Sequence, residues 1–423
     1  MKLKALNGFK DILPEDVGLW QRVEETAREV FARFQFSEIR LPLMEKTELF
    51  ARSIGEATDI VEKEMYSFVE KGVTMRPEAT ASLIRAYIEH GLYVQRPIQR
   101  LFTIGPMFRH ERPQMGRLRQ FHQLNIEMLG ADHPKVDAEI MAMGQMLLEK
   151  LGISVSLEVN SLGCPECRPL FRKRLLAFLD ERMDHLCDDC KRRSTTNPLR
   201  VLDCKNPTCR EQAVDAPSIL DNLCPACDEH FATVKVSLER LGVSYSLNRF
   251  MVRGLDYYCR TTFEFITGDL GAQAAVGGGG RYDGLVEQLG GPRSIPGIGF
   301  AMGIERLVLL LQQQEQLQRK RLELDIFVAG LGAAASDVCY DLVHALRKQG
   351  FRVGMDHEGR SLKSQMKQAD KAGSAHVLIV GEDELAAESG VIRNMATQEQ
   401  RNIALTAEAI HNYLAGSPQM DVA

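Results

Sequence analysis

Four arginines fall between Arg109 and Arg119, within Gly105-Pro106-Met107-Phe108-Arg109-His110-Glu111-Arg112-Pro113-Gln114-Met115-Gly116-Arg117-Leu118-Arg119-Gln120-Phe121-His122-Gln123. Guanidinium groups stay charged and match phosphate oxygens two at a time, so the segment suits a polyphosphate or an RNA end. A solvated basic loop has the same composition, but strand-like residues on both sides of Pro113 and Gly116 favour a hairpin. A second cluster is Arg253-Gly254-Leu255-Asp256-Tyr257-Tyr258, followed by Gly277-Gly278-Gly279-Gly280-Arg281-Tyr282-Asp283-Gly284. Consecutive glycines in a strand let a ligand approach the backbone, although a flexible loop reads the same way. No Gly-Lys-Ser/Thr follows, which excludes a P-loop. The third piece, Gly297-Ile298-Gly299-Phe300-Ala301-Met302-Gly303-Ile304-Glu305-Arg306-Leu307, reads as glycines opening an apolar helix, with Arg306 close to an N-terminus where an anion would sit. Tight helix packing explains the glycines but not an arginine beside an apolar stripe.

Regular elements must position these residues. After Pro14, residues Leu19, Trp20, Val23, Ala27, Val30, Phe31 and Phe34 recur at three- and four-residue steps, the spacing of an amphipathic helix. Glu38-Ile39-Arg40-Leu41-Pro42-Leu43 is extended, and Pro42 confines it to a sheet edge or an interface. From there to about Leu162, strand-like runs (Arg100 to Ile104, Asn125 to Leu129) alternate with helix-like ones (Ala81 to Gly91, Asp137 to Gly152), as in an α+β domain. The strand pattern resumes at Tyr245 and continues through Phe263-Glu264-Phe265-Ile266, so 163–232 reads as a mostly helical insertion between 1–162 and 233–320. A polar bridge, Gln312 to Arg321, leads to strand Asp325 to Ala329, helix Asp337 to Lys348, strand Phe351 to Met355, helix Leu362 to Ala372 and strand Ala375 to Val380. That alternation predicts a small α/β domain over 325–423 with a largely parallel sheet.

The chain has 423 residues, 44% hydrophobic and 26% charged, which excludes wholesale disorder and a membrane bundle. Its 52 Lys and Arg against 57 Asp and Glu give a net charge of −5, so any nucleic-acid contact must rest on local patches. Residues Met1 to Lys10 lack a cationic stretch followed by an apolar core, and the longest apolar runs fall far below membrane length, which points to the cytoplasm. Eight of the ten cysteines lie between Cys164 and Cys227, as pairs Cys164/Cys167, Cys187/Cys190, Cys204/Cys209 and Cys224/Cys227. The first two pairs are 19 residues apart, inside the range of a four-cysteine zinc site. One or two structural zinc ions and reduced thiols that simply pack are both open, while Cys259 and Cys339 read as packing residues.

Arg76-Pro77-Glu78-Ala79-Thr80, the Phe108-Arg109-His110-Glu111-Arg112 run, Arg253 to Tyr258 and the Gly279 to Gly284 string together resemble the signature motifs of class II aminoacyl-tRNA synthetases, specifically the histidyl-tRNA synthetase family. The resemblance runs from about Leu6 into the C-terminal domain, and departs at Ala79, where many members have glycine. It implies a catalytic domain with an antiparallel sheet, an anticodon-binding domain at the C-terminus, and a two-step reaction. Histidine and ATP, as its Mg2+ complex, would give histidyl-adenylate and pyrophosphate, and the histidyl group would then pass to the terminal ribose of tRNA(His). Bringing a carboxylate onto an α-phosphate sets two anions against each other, so catalysis should be positioning and charge neutralisation.

By that resemblance Arg109 would hold the α-phosphate and Arg253 would bridge it to the histidine carboxylate. Arg306 would stack on adenine, Phe121 would cover the other face, and Glu111 would join the ATP contacts. Glu127 and Tyr258 would meet the imidazole of histidine, Glu78, Thr80 and Gln123 would meet its amino and carboxylate groups, and Tyr257 would join the histidine contacts. Arg112, Arg117 and Arg119 would grip the acceptor stem. The leading helix and Leu41-Pro42-Leu43 would form a homodimer. The region from Asp325 onward carries 9 Lys and Arg against 13 Asp and Glu, so anticodon reading there would rest on base contacts and a local patch. Two other readings stay open: a histidine-binding regulatory subunit of ATP phosphoribosyltransferase, which typically lacks the C-terminal domain, and a zinc-stapled RNA-binding protein without catalysis. The latter leaves Arg253 to Tyr258 unexplained.

Overall fold

Along Gln120–Leu129 the side chains alternate: Leu124, Ile126 and Met128 are buried in the main apolar core, while Gln123, Asn125 and Glu127 point to the opposite face. The same parity recurs at Cys259–Ile266, where Phe263 and Phe265 enter the core and Glu264 does not, and at Gly297–Gly303, where Ile298, Phe300 and Met302 do. These strands belong to an eight-stranded sheet in the order Ser37–Glu38, Gln99–Phe108, Gln120–Leu129, Gly297–Gly303, Ala275–Arg281, Cys259–Ile266, Ser156–Ser161, Tyr245–Leu247. Its six inner strands pair antiparallel, and each two- or three-residue edge strand pairs parallel. Helices Pro14–Arg33, Lys135–Lys150, Pro225–Arg240 and Ile304–Glu315 contribute side chains to the core on one face; on the other, helix Thr80–Glu89 packs with Leu101 and Leu129 over one end and leaves the polar remainder open.

This computed structural model describes residues 3–55, 58, 60–269, 275–315 and 324–416. They form two compact units, Met1–Gln314 and Glu315–Ala423, and the tail of the glutamine-rich bridge lies outside the described residues. In the first unit the helix predicted after Pro14 spans Pro14–Arg33, with proline in its first turn and Glu15 and Asp16 where the helix dipole favours acids. The cysteine-rich stretch folds as short helices around its own small core, including Phe171, Leu175 and Leu202. Helix Pro225–Arg240 crosses the predicted end of the insertion at 232 and buries Phe231, Val234 and Leu238 in the main core.

Gly297–Gly303 does not open a helix: it is a central strand, and the helix starts only at Ile304. The glycines fall opposite Ile298, Phe300 and Met302, so they thin the open face of the sheet instead of tightening a helix contact. In the second unit the predicted alternation holds, with Leu324–Gly330 between parallel neighbours Val353–Met355 and Ser374–Val380. Two further strands, Ser389–Asn394 and Gln400–Ala404, add an antiparallel hairpin, so the five-stranded sheet is mixed. Among the described residues no helix is long and apolar enough to cross a membrane.

Candidate active site

The open face of the large sheet carries a cavity of ≈ 310 Å³. Glu78, Thr80, Arg109, Glu111, Phe121, Gln123, Glu127, Arg253, Tyr257, Tyr258 and Arg306, drawn from four separate sequence segments, all line it. A larger hollow of ≈ 1170 Å³ near Ser237 and Tyr245 contains none of them.

The floor is built from Glu127 and the glycine strands. A side chain at Gly299 would collide with the Glu127 carboxylate, and one at Gly278 would come within 2.9 Å of the Arg253 guanidinium, so both positions must stay bare. Thr80 Oγ1 donates to Glu127 at 2.6 Å and the Tyr282 hydroxyl donates to its other oxygen. Burial nevertheless outweighs these two donors and lifts the Glu127 carboxyl to about 8, with neighbouring Glu78 adding repulsion. Glu78 is itself buried and raised by that burial, against backbone N–H groups of Thr80 and Ala81 that donate to it at 2.7 and 2.8 Å. Those two bonds cap the helix Thr80–Glu89, which fixes Thr80 above Glu127.

Because Glu127 is neutral in the folded chain and ionised in the unfolded one between its ordinary value of 4.5 and about 8, folding takes up a proton there. Stability therefore falls as pH rises through that window and levels above it. Glu127→Gln should lack this slope, so its unfolding free energy, read from denaturant melts at each pH, should gain on the wild type from pH 5 to pH 8 by an amount on the order of 4 kcal/mol at most. Parallel pH profiles of the two proteins would contradict this.

The walls carry the positive charge. Arg109 Nε donates to Pro77 O at 2.8 Å, and its guanidinium lies 5.3 Å from the Phe121 ring centroid. Arg253 donates to Glu264 and sits 5.4 Å from the Tyr258 ring centroid. Burial works against its charge, but Tyr258 and Glu264 outweigh that and keep it firmly cationic. Arg306 donates to the carbonyls of Ala275 and, at 3.4 Å, Gly116. Glu305 beside it accepts from the backbone N–H of His122 with both oxygens at 2.9 Å, which pins the start of the helix to the hairpin. Gln123 Oε1, Asn125 Oδ1 and Arg253 Nε are buried without a hydrogen-bond partner. Three unsatisfied polar atoms around one cavity are what a polar ligand would satisfy.

The predicted arginine loop is a hairpin, with Gln99–Phe108 paired along its length to Gln120–Leu129. Its arginines separate. Arg112 is exposed, Arg117 pairs with Glu111 in the cavity wall, and Arg119 turns back to donate to Glu111 O at 3.1 Å and Asn7 O at 3.5 Å.

Sequence reasoning missed Glu264, Tyr282, Asn125 and the anchor of the glycine string. Arg281 is fully buried and donates to Asp137 at 3.1 Å and to Ala131 O at 3.3 Å, which ties the string to the helix behind the sheet. Arg76 is likewise buried, donating to Pro106 O at 2.9 Å and Leu41 O at 3.2 Å, so it holds the extended Leu41-Pro42 segment against the hairpin. Strand parity was the available signal for Glu264 and Asn125, since each sits between two apolar residues that enter the core.

Cations along two walls, a buried carboxyl at the base and orphaned polar atoms between them can hold a polyphosphate beside a small molecule bearing a carboxylate and hydrogen-bonding nitrogens. Residues 325–414 match the family model "Anticodon binding domain". The chain is 66% identical to the histidine–tRNA ligase of Desulfotalea psychrophila, over 99% of this chain and 97% of that protein, and 56% identical to that of Geobacter metallireducens, over 96% and 98%. The crystal structure of the apo histidyl-tRNA synthetase of S. aureus superposes with a TM-score of 0.81 at 35% identity, covering 98% of this chain and 100% of that one. The model "Histidyl-tRNA synthetase" matches residues 8–166 and 204–307, leaving out only 167–203 of the cysteine-rich stretch, and with these relatives it establishes that the chain belongs to the histidyl-tRNA synthetase family.

Proposed function

We infer that this chain activates L-histidine with Mg2+-ATP to histidyl-adenylate, releases pyrophosphate, and transfers the histidyl group to the 3′ end of tRNA(His). The observation that carries the reading is the meeting of Arg109, Arg253 and Arg306 with buried Glu127 in one cavity. Neither phosphate binding nor histidine binding alone accounts for both halves of that site.

In the first step the histidine carboxylate attacks the α-phosphorus and pyrophosphate leaves. Arg253 bridges the carboxylate and the α-phosphate, Arg109 neutralises the α-phosphate, and Phe121 and Arg306 sandwich the adenine. None of these groups exchanges a proton with substrate; their work is alignment and charge. Glu111 completes the ATP contacts. Glu127 and Tyr258 hold the imidazole, with Tyr257 behind them, and Glu78, Thr80 and Gln123 receive the amino and carboxylate groups. Arg112, exposed on the hairpin, is the acceptor-stem contact this reading favours, with Arg117 and Arg119 shaping the loop behind it.

The anticodon loop is read by the net acidic C-terminal domain through bases, not phosphates. A homodimer is supported by the exposed apolar side chains Leu43, Met44 and Phe68 around the small sheet of Met44–Lys46, Tyr66–Phe68 and Val73–Met75. The cysteine-rich insertion holds structural zinc. Charging of a tRNA(His) transcript with labelled histidine, by the full chain with ATP and Mg2+, tests the second step. The expected product is histidyl-tRNA, with no charging by other amino acids; histidine binding without any charged tRNA would favour the regulatory reading.

A further inference from the structure

The eight clustered cysteines assemble as two sets: Cys164, Cys167, Cys224 and Cys227 in one, and Cys187, Cys190, Cys204 and Cys209 in the other, with the ligand atoms of each set within 4.8 Å of one another. The spacing-based pairing of the first two motifs is therefore corrected to a nested one, in which the outer set joins the two ends of the insertion and the inner set lies within it. All eight are free thiols. A tetrahedron with zinc–sulfur bonds of about 2.3 Å has sulfur–sulfur edges of about 3.8 Å. The observed separations are 3.7 Å for Cys164 to Cys167, 3.8 Å for Cys164 to Cys224 and 4.0 Å for Cys187 to Cys204. Backbone N–H groups also aim at these sulfurs: Cys224 N at Cys167 Sγ (3.1 Å), Cys187 N at Cys209 Sγ (3.2 Å) and Asn206 N at Cys204 Sγ (3.5 Å). Such donors stabilise thiolates, the form that binds a metal.

Both sets brace the segment Arg253 to Tyr258. Next to Cys167, Arg168 donates to the carbonyl of Tyr258 and, at 3.2 Å, to that of Leu162. Between Cys190 and Cys204, Asn197 Nδ2 donates to Asp256 Oδ1 at 2.9 Å. Leu199 packs against both the insertion core and the cluster containing Tyr257 and Tyr258. A side chain at Gly254 would meet Arg200 at 3.8 Å.

We propose that the insertion binds two zinc ions, one per four-thiolate set, and that the inner ion is a positioning device which holds Asn197 and Leu199 against the histidine-binding segment. The proposal rests on the synthetase reading for its second half only. Each thiol gives up its proton on binding, and no electron is transferred.

Elemental analysis of the full chain purified under reducing conditions should find two zinc ions per chain, and cobalt substitution should give thiolate-to-metal absorption for two sites. Cys204→Ser should retain about one zinc and raise the KM for histidine about tenfold, with the KM for ATP nearly unchanged. Asn197→Ala, which spares every thiol, should keep two zinc ions and raise the histidine KM about threefold. It decides the positioning role even where Cys204→Ser fails to fold. A wild-type chain that activates histidine yet contains no zinc overturns the metal sites and leaves the synthetase reading standing. Two zinc ions with an unchanged histidine KM in Asn197→Ala overturn the positioning role, and zinc-replete protein that never activates histidine overturns it together with the synthetase reading.

Discussion

Arg253→Ala is expected to lower histidine-dependent exchange of pyrophosphate into ATP by about 10³-fold, the size of effect seen when a preorganised donor is removed from developing negative charge. The guanidinium is held between Glu264 and the face of Tyr258, and its Nε is buried without a partner in the free protein. The group is thus oriented before substrate arrives, and its remaining capacity faces the cavity. If Arg253 acts on the charge that builds as the carboxylate reaches the α-phosphorus, kcat and kcat/KM should fall together, with the histidine KM moving little. A rise in KM at constant kcat would instead mean that it only binds the ground state. Removing the arginine leaves Glu264 beside an empty cavity, so circular dichroism of the variant must accompany the kinetics. Arg253→Lys should recover little, because an ammonium keeps the charge but loses the fork that spans two anionic groups.

Glu127→Ala carries the second large effect: a rise of about 100-fold in the KM for histidine, with the KM for ATP changed by less than about threefold. Glu127 lies at the base of the cavity, bonded to Thr80 and Tyr282, while Phe121 is six residues away along the same strand, about 20 Å, and Arg306 stands on the helix Ile304–Glu315. Truncation would strand two buried hydroxyls and remove the acceptor an imidazole N–H requires. Calorimetric titration of each ligand separates the two affinities. Equal losses for histidine and ATP would mean that the whole cavity had collapsed and would remove Glu127 from a specific role.

The elements nearest the chemistry were largely legible in the sequence because their signals are local. Pro113 and Gly116 between strand-like runs announce the hairpin, and the three-to-four spacing after Pro14 announces the helix. Gly297–Gly303 was misread because its glycines stand directly before the apolar run Leu307 to Leu311, although Ile298, Phe300 and Met302 carry a clear period of two. The hairpin Ser389–Asn394 with Gln400–Ala404 escaped notice for the opposite reason: Gly390 and Ile392 alternate as the buried positions of the first strand, but with Val391 adjacent to Ile392 and Gln400–Ala404 mostly polar, the sequence shows no period of two.

Within the site, the residues came from motif resemblance, but their partners did not. Tyr282 reaches Glu127 across 155 positions, Arg281 reaches Asp137 across 144, and neither separation leaves a local trace. The nested pairing of the cysteines is likewise a tertiary fact, since the spacing of Cys167 and Cys187 is equally compatible with the pairing that does not occur.

The central claim is that one cavity joins histidine to the α-phosphate of ATP. Its most direct test is exchange of labelled pyrophosphate into ATP by the purified full chain, with each of the twenty amino acids in turn and no tRNA present. Exchange that depends on histidine alone, and that disappears in Arg253→Ala, is the predicted result. Absence of exchange with histidine, or equal exchange without it, would contradict the account.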